Sequence, residues 1–129
     1  MNERLFKKDR AWAARIASFA NAFRGLTILL ATQANARVHA VITIVVILLG
    51  WWLALTALEW AAVIGAIGLV WLAEGFNTAL EFFVDLVSPE INPKAGVVKD
   101  VAAGAVLAAS LAALAIGALI LGPKLVRLW

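Results

Sequence analysis

Apolar and polar positions in this chain follow two different patterns, which meet near residue 36. Before it, apolar residues recur at three- and four-residue steps. After Leu5 come Trp12, Ile16, Phe19, Phe23, Leu26 and Leu30, with Lys8, Arg15, Ser18 and Asn21 mostly between them. That period belongs to a helix with one apolar stripe. With a basic opposite face it predicts an amphipathic helix over about residues 5–30, lying in a membrane interface rather than crossing it. Beyond residue 36 the apolar runs become continuous. Val38–Leu58 is interrupted only by His39, Thr43 and Thr56. A second run begins near Trp60, is purely apolar to Ala73, and continues in helical register to about Val87 with polar residues inserted. A third, Val101–Gly122, holds no charge and is followed by Pro123. Each suffices for a spanning helix, which takes roughly 20 apolar residues. The expected fold is all-α: an integral membrane protein with three transmembrane helices, at about 36–58, 60–87 and 98–122, plus the N-terminal surface helix. The short connection Leu55–Glu59 makes the first two spans antiparallel neighbours. Ser88–Val98, with Pro89, Pro93 and Gly96, reads as a loop at the membrane surface.

Composition supports that solvent. Of 129 residues, 64% are hydrophobic and 15% charged, and the mean hydropathy is +0.97. A single domain of this size, 1–129, could not hide so much apolar surface from water. No cysteine is present, which excludes disulfides and thiolate metal sites. Seven of the eleven basic residues (Arg4, Lys7, Lys8, Arg10, Arg15, Arg24, Arg37) precede the first long apolar run. Anionic lipid headgroups account for them without nucleic acid. Basic residues return in the second loop as Lys94 and Lys99, whereas the first loop has only Glu59. The positive-inside rule therefore puts the N-terminus and second loop in the cytoplasm, against Lys124 and Arg127 at the far end. Trp51, Trp52, Trp60 and Trp129 suit an aromatic belt on that far side. A basic start without a short apolar core and cleavage site is no signal peptide.

The polar residues in the second span carry the chemistry. Taking Glu74 as zero, Asn77 falls near −60°, Glu81 near −20°, Asp85 near +20° and Thr78 near +40° at about 100° per residue. From Glu74 to Asp85 the stripe climbs about 16 Å, at 1.5 Å per residue, so Glu74 lies deepest and Asp85 near water. Ionisable groups at membrane depth are costly and mark functional sites. A polar seam can also glue helices, but glue is built from Ser, Thr, Asn and Gln, and three carboxylates on one face repel. Carboxylates with an amide suit Mg²⁺, which bridges to phosphate oxygens. Lys99-Asp100 stands at the same level as Glu81 and Asp85. The small residues Ala102, Ala103, Gly104, Ala105, Ala108 and Ala109 make a close-packing helix face.

These residues resemble a known family. Glu74-x-x-Asn77-Thr78-Ala79-Leu80-Glu81-x-x-Val84-Asp85, followed by Lys99-Asp100-x-Ala102-Ala103-Gly104-Ala105-Val106, is similar to the signature of the small prokaryotic diacylglycerol kinases, which include the undecaprenol kinases. The resemblance runs from Ser18-Phe19-x-x-Ala22-x-x-Gly25 through the third span. Asn35-x-Arg37-Val38-His39 and Ser88-Pro89-Glu90-Ile91-Asn92-Pro93 are more similar to the undecaprenol kinase branch. The resemblance implies a homotrimer with active sites between subunits, transferring the γ-phosphoryl of ATP to a lipid hydroxyl with Mg²⁺. It implies Glu74 as general base, Glu81 as metal ligand, and Asn77, Glu81, Asp85, Lys99 and Asp100 as nucleotide contacts. The family usually has a glutamate where this chain has Gln33, which keeps an oxygen ligand for the metal but loses a charge. An arginine expected near Ala14 is displaced to Arg15. Arg37 is read as a headgroup or phosphate contact and His39 as structural.

The expected function is therefore an ATP-dependent lipid kinase of the bacterial inner membrane, with undecaprenol preferred over diacylglycerol. A transporter or cation relay using the acidic stripe is the competing class, but the stripe stops short of the outer half. A holin-like assembly protein would tolerate loss of each acid singly.

Overall fold

The computed structural model describes the backbone of residues 3–90 and 92–128, and the side chains of Trp12, of residues 14–90 and of residues 92–128. The expected roles of Leu5, Lys8 and Trp129, and of the basic residues before Trp12, lie outside the described side chains. The structure consists of four helices without a strand among the described residues: α1 (Glu3–Thr32), α2 (Ala34–Trp52), α3 (Ala57–Val87) and α4 (Pro93–Val126). Two units divide at Thr32/Gln33. In the first, α1 is one continuous helix. Trp12, Ile16, Phe19, Phe23 and Leu26 form an exposed apolar stripe along it, and the Arg15 guanidinium lies 5.4 Å from the Trp12 ring centre.

The second unit holds three helices long and apolar enough to cross a membrane, α2, α3 and α4. α3 packs most extensively on α4 and more lightly on α2. The buried positions of α3 are Val63, Ala66, Val70, Glu74, Asn77, Thr78 and Val84. Steps of three and four residues make this one seam, apolar in its first half and polar in its second. On α4, Ala102, Val106, Ala109 and Leu121 are buried, so the small-residue face is buried only in part, with Ala103, Gly104, Ala105 and Ala108 exposed. Elsewhere the helices expose apolar side chains such as Val41, Ile44, Leu48, Leu72 and Leu111. In water such a surface would be untenable; against lipid it is ordinary.

One end of the bundle is closed tightly. After α2, Leu55 N–H bonds to Gly50 C=O at 3.1 Å and Ala54 N–H to Trp51 C=O at 3.2 Å. This is the paired bonding of a Schellman motif, and it puts Ala54 at φ 48°, the left-handed position that glycine usually fills. A Cβ on Gly50 would come within 2.7 Å of the Trp60 ring and 3.0 Å of Leu55. Thr56 then opens α3 with a capping box: its hydroxyl accepts from Glu59 N–H, and the Glu59 carboxylate accepts from Thr56 N–H at 2.7 Å. Lys124, near the end of α4, reaches the same Glu59 carboxylate at 3.2 Å. A cluster of Leu55, Val63 and Leu121, flanked by Trp60 and Leu125, fills the space beneath.

Three local expectations change. Trp51 and Trp52 are exposed as a belt requires, but Trp60 turns inward onto Gly50. α4 begins at Pro93 rather than near residue 98. Asn92 caps it by accepting from Lys94 N–H at 3.0 Å, and proline is well placed at a first helical position, where an N–H would be unpaired anyway. The loop shrinks to Ser88–Asn92. Pro123 lies inside α4, which continues to Val126; so close to the helix end, the lost backbone bond disturbs little.

Candidate active site

At the other end, α2, α3 and the start of α4 bring the polar residues together. Glu74 is 1% exposed, and Asn77 and Thr78 are buried beside it. One turn further along α3, the Glu81 carboxylate is held from two directions. Asn77 Nδ2 donates to Oε1 at 3.0 Å, and Gln33 Nε2 donates to Oε2 at 3.2 Å. Gln33 is the N-cap residue of α2, yet its side chain makes no capping bond. It spends its amide on Glu81, 48 residues away in sequence. Nearest the helix end, exposed Asp85 pairs with Lys99 of α4. Asp100 is exposed and makes no hydrogen bond or ion pair among the described residues.

The deep end is less satisfied. His39 Nε2, from α2, lies 4.0 Å from Glu74 Oε2. Both atoms, together with Asn77 Oδ1 and Thr78 Oγ1, are buried without a hydrogen-bond partner. Buried polar groups are nearly always paired, and a helical threonine commonly bonds back to a carbonyl of the preceding turn. Three such atoms within two turns of α3, with a fourth facing them from α2, are polar groups that the folded chain alone leaves unpaired. One turn further into the bundle, Trp71 Nε1 donates to Thr43 Oγ1 at 3.1 Å, fixing α2 against α3.

The donor chemistry suits a hard divalent cation. No cluster of three acidic or histidine side chains that could hold a metal occurs among the described residues. One carboxylate flanked by two amides, each carrying an oxygen opposite its NH₂, matches a cation that keeps waters and takes phosphate oxygens as its remaining ligands. The partnerless Asn77 Oδ1 is such an oxygen.

From His39 toward the closed end of the bundle runs a cavity of about 530 Å³ between α2, α3 and α4, walled by residues such as Ile42, Val63, Val70, Ile116 and Leu121. A second hollow, about 540 Å³, lies along Phe76 and Asn77 of α3 and the alanines of α4.

The structure thus groups Gln33, Asn77 and Glu81, pairs Asp85 with Lys99, and leaves Asp100 apart. The structure also brings His39, read from the sequence as structural, to face Glu74 across the α2–α3 contact. Glu59, the acid at the opposite end of α3, is committed to Thr56 and Lys124, so among the described residues no acidic path crosses the bundle as a cation relay would need.

Comparison with known proteins gives the family of the chain. Residues 20–121 match the family model of prokaryotic diacylglycerol kinase. An undecaprenol kinase of Bacillus subtilis is 37% identical over 108 residues, covering 84% of this chain and 88% of that protein. A diacylglycerol kinase of Synechocystis is 40% identical over 125 residues, covering 94% of this chain and 71% of that protein. The chain belongs to the prokaryotic diacylglycerol kinase family and is a multi-pass membrane lipid kinase.

Proposed function

We propose that this kinase phosphorylates undecaprenol from MgATP, with Glu74 as the general base. The observation that carries the assignment of the base is the depth of Glu74: it is the most buried acid of the seam, 1% exposed. A lipid hydroxyl stays at the membrane interface, and the deepest acid is the one that can meet it. Glu74 accepts the hydroxyl proton as the lipid oxygen bonds to the γ-phosphorus; the bond from that phosphorus to the ADP oxygen breaks, and ADP leaves.

Phosphoryl transfer depends mostly on positioning and charge neutralisation. Glu81, with Gln33, would hold Mg²⁺, which neutralises charge on the phosphates. Asn77, Asp85 and Lys99 line the route from that carboxylate to water and hold the nucleotide; Lys99 gives up Asp85 to bind phosphate. Asp100, exposed on the next residue, would meet the nucleotide from the outside.

Undecaprenol is preferred because Asn35-x-Arg37-Val38-His39 and Ser88–Pro93 follow the undecaprenol kinase pattern. Diacylglycerol is the alternative acceptor. The active form in this reading is a homotrimer, whose neighbours cover the exposed apolar faces and complete the site. It sits in the bacterial inner membrane with the N-terminus and the Ser88–Asn92 loop in the cytoplasm.

The test is ADP release by purified protein in lipid micelles with MgATP, comparing undecaprenol with diacylglycerol. A higher kcat/KM for undecaprenol is expected. Preference for diacylglycerol would reverse the acceptor, and no release with either lipid would remove the assignment.

A further inference from the structure

We propose that His39 is a positioning residue for the phosphoryl transfer: its Nε2–H holds one oxygen of Glu74 and leaves the other for the lipid hydroxyl. The inference rests on Glu74 being the base. Three observations lead to it. His39 Nε2 and Glu74 Oε2 face each other at 4.0 Å across the α2–α3 contact. Neither atom has another partner, although both are buried. The Trp71–Thr43 hydrogen bond, one turn further on each helix, fixes the two backbones so that the facing is set by the fold.

The separation exceeds a direct hydrogen bond. Catalytic contacts are often long in the free enzyme and tighten when substrate closes the site. A small rotation of either side chain closes this one. A histidine that merely packed would be expected to find a backbone carbonyl for its buried nitrogen, because an unpaired buried donor is costly. His39 instead aims that nitrogen at the one carboxylate that is almost wholly buried. It also lines the apolar cavity between the three helices, so a lipid chain lying there would bring its hydroxyl end past the pair. Glu81, the next acid along the seam, is already held by two amides. His39 is thus the neighbour on the facing helix able to fix the orientation of Glu74.

The chain contains a single histidine, so its imidazole signals can be read without assignment in untagged, ¹⁵N-histidine-labelled protein in micelles. Glu74→Gln should move the His39 Nε2 resonance, whereas Glu81→Gln should leave it near its original place. In turnover assays, His39→Leu should lower kcat by about 10- to 100-fold, the scale of a misplaced catalytic group, with the KM for MgATP within about twofold. His39→Gln, which restores an N–H donor, should recover much of that loss. A Nε2 resonance unmoved in Glu74→Gln would overturn the pairing. So would a His39→Leu enzyme of ordinary kcat, or a His39→Gln enzyme no better than His39→Leu. Retained turnover in Glu74→Gln would instead overturn the base, and the two failures are read from different measurements.

Discussion

The two halves of α3 lie on one helical face and obey the same three- and four-residue spacing, yet they handle polar groups in opposite ways. Where the helix begins, every polar group has work within the fold: Thr56 and Glu59 cap each other, Lys124 neutralises Glu59, and Val63 packs into a closed apolar cluster. In the second half the same seam buries Glu74, Asn77 and Thr78, and each keeps an atom without a partner. Unsatisfied burial costs stability and persists where surrounding structure enforces it for a functional reason. The first half holds the helices together, and the second presents groups that the folded chain alone leaves incomplete.

Substitutions in the two halves should therefore fail in different assays. The largest effect is expected for Glu74→Gln: lipid-dependent ADP release should fall by about 10²- to 10⁴-fold, the usual contribution of a general base, while helix content by circular dichroism stays the same. A comparable loss of folded protein would place Glu74 with the packing residues. Gly50→Ala should do the reverse. Forcing a methyl group against Trp60 should lower unfolding free energy by about 1–3 kcal/mol, the range for overpacked sites, with turnover per folded enzyme unchanged. Gln33→Glu tests the amide-flanked carboxylate, since a second carboxylate there should reduce the Mg²⁺ concentration for half-maximal turnover about tenfold, or about 1.4 kcal/mol. An unchanged Mg²⁺ requirement would detach Gln33 from the metal. Loss of the cap in Thr56→Ala should cost about 1 kcal/mol, seen as a lower unfolding temperature. Thr78→Val sharpens the contrast most finely: removing a buried hydroxyl without a partner should leave stability equal or slightly higher, whereas a loss of more than about 1 kcal/mol would mean that the hydroxyl already had a structural task.

Much of this was legible in the sequence. Continuous apolar runs announce three spans, and the helical angles of Glu74, Asn77, Glu81 and Asp85 put them on one face, because both readings need only local spacing. Partners were harder. Nothing local in Gln33 reveals that its amide crosses to Glu81 rather than capping α2; only the family pattern, which has a glutamate there, pointed to that meeting. His39 gave a single polar position in an apolar run, and its proximity to Glu74 depends on the packing of α2 on α3. Pro93 misled for a physical reason, since proline breaks a helix interior but starts a helix well. Trp60 misled likewise: tryptophan favours the interface unless, as at Gly50, a neighbour without a side chain makes room for its ring.

The length of α3 has a consequence for the enzyme's surroundings. Its 31 residues extend about 46 Å at 1.5 Å per residue, against a hydrocarbon layer of about 30 Å. A rod longer than its slab leaves some freedom in how deeply it sits or how far it tilts, and the thickness of the lipid restricts that freedom. Glu74 is fixed to the rod, whereas the lipid hydroxyl that it would serve as the proposed base is fixed to the headgroup plane. With Glu74 as the base, the register between base and acceptor would be shared between protein and bilayer, and turnover would be expected to vary with acyl-chain length in the host membrane.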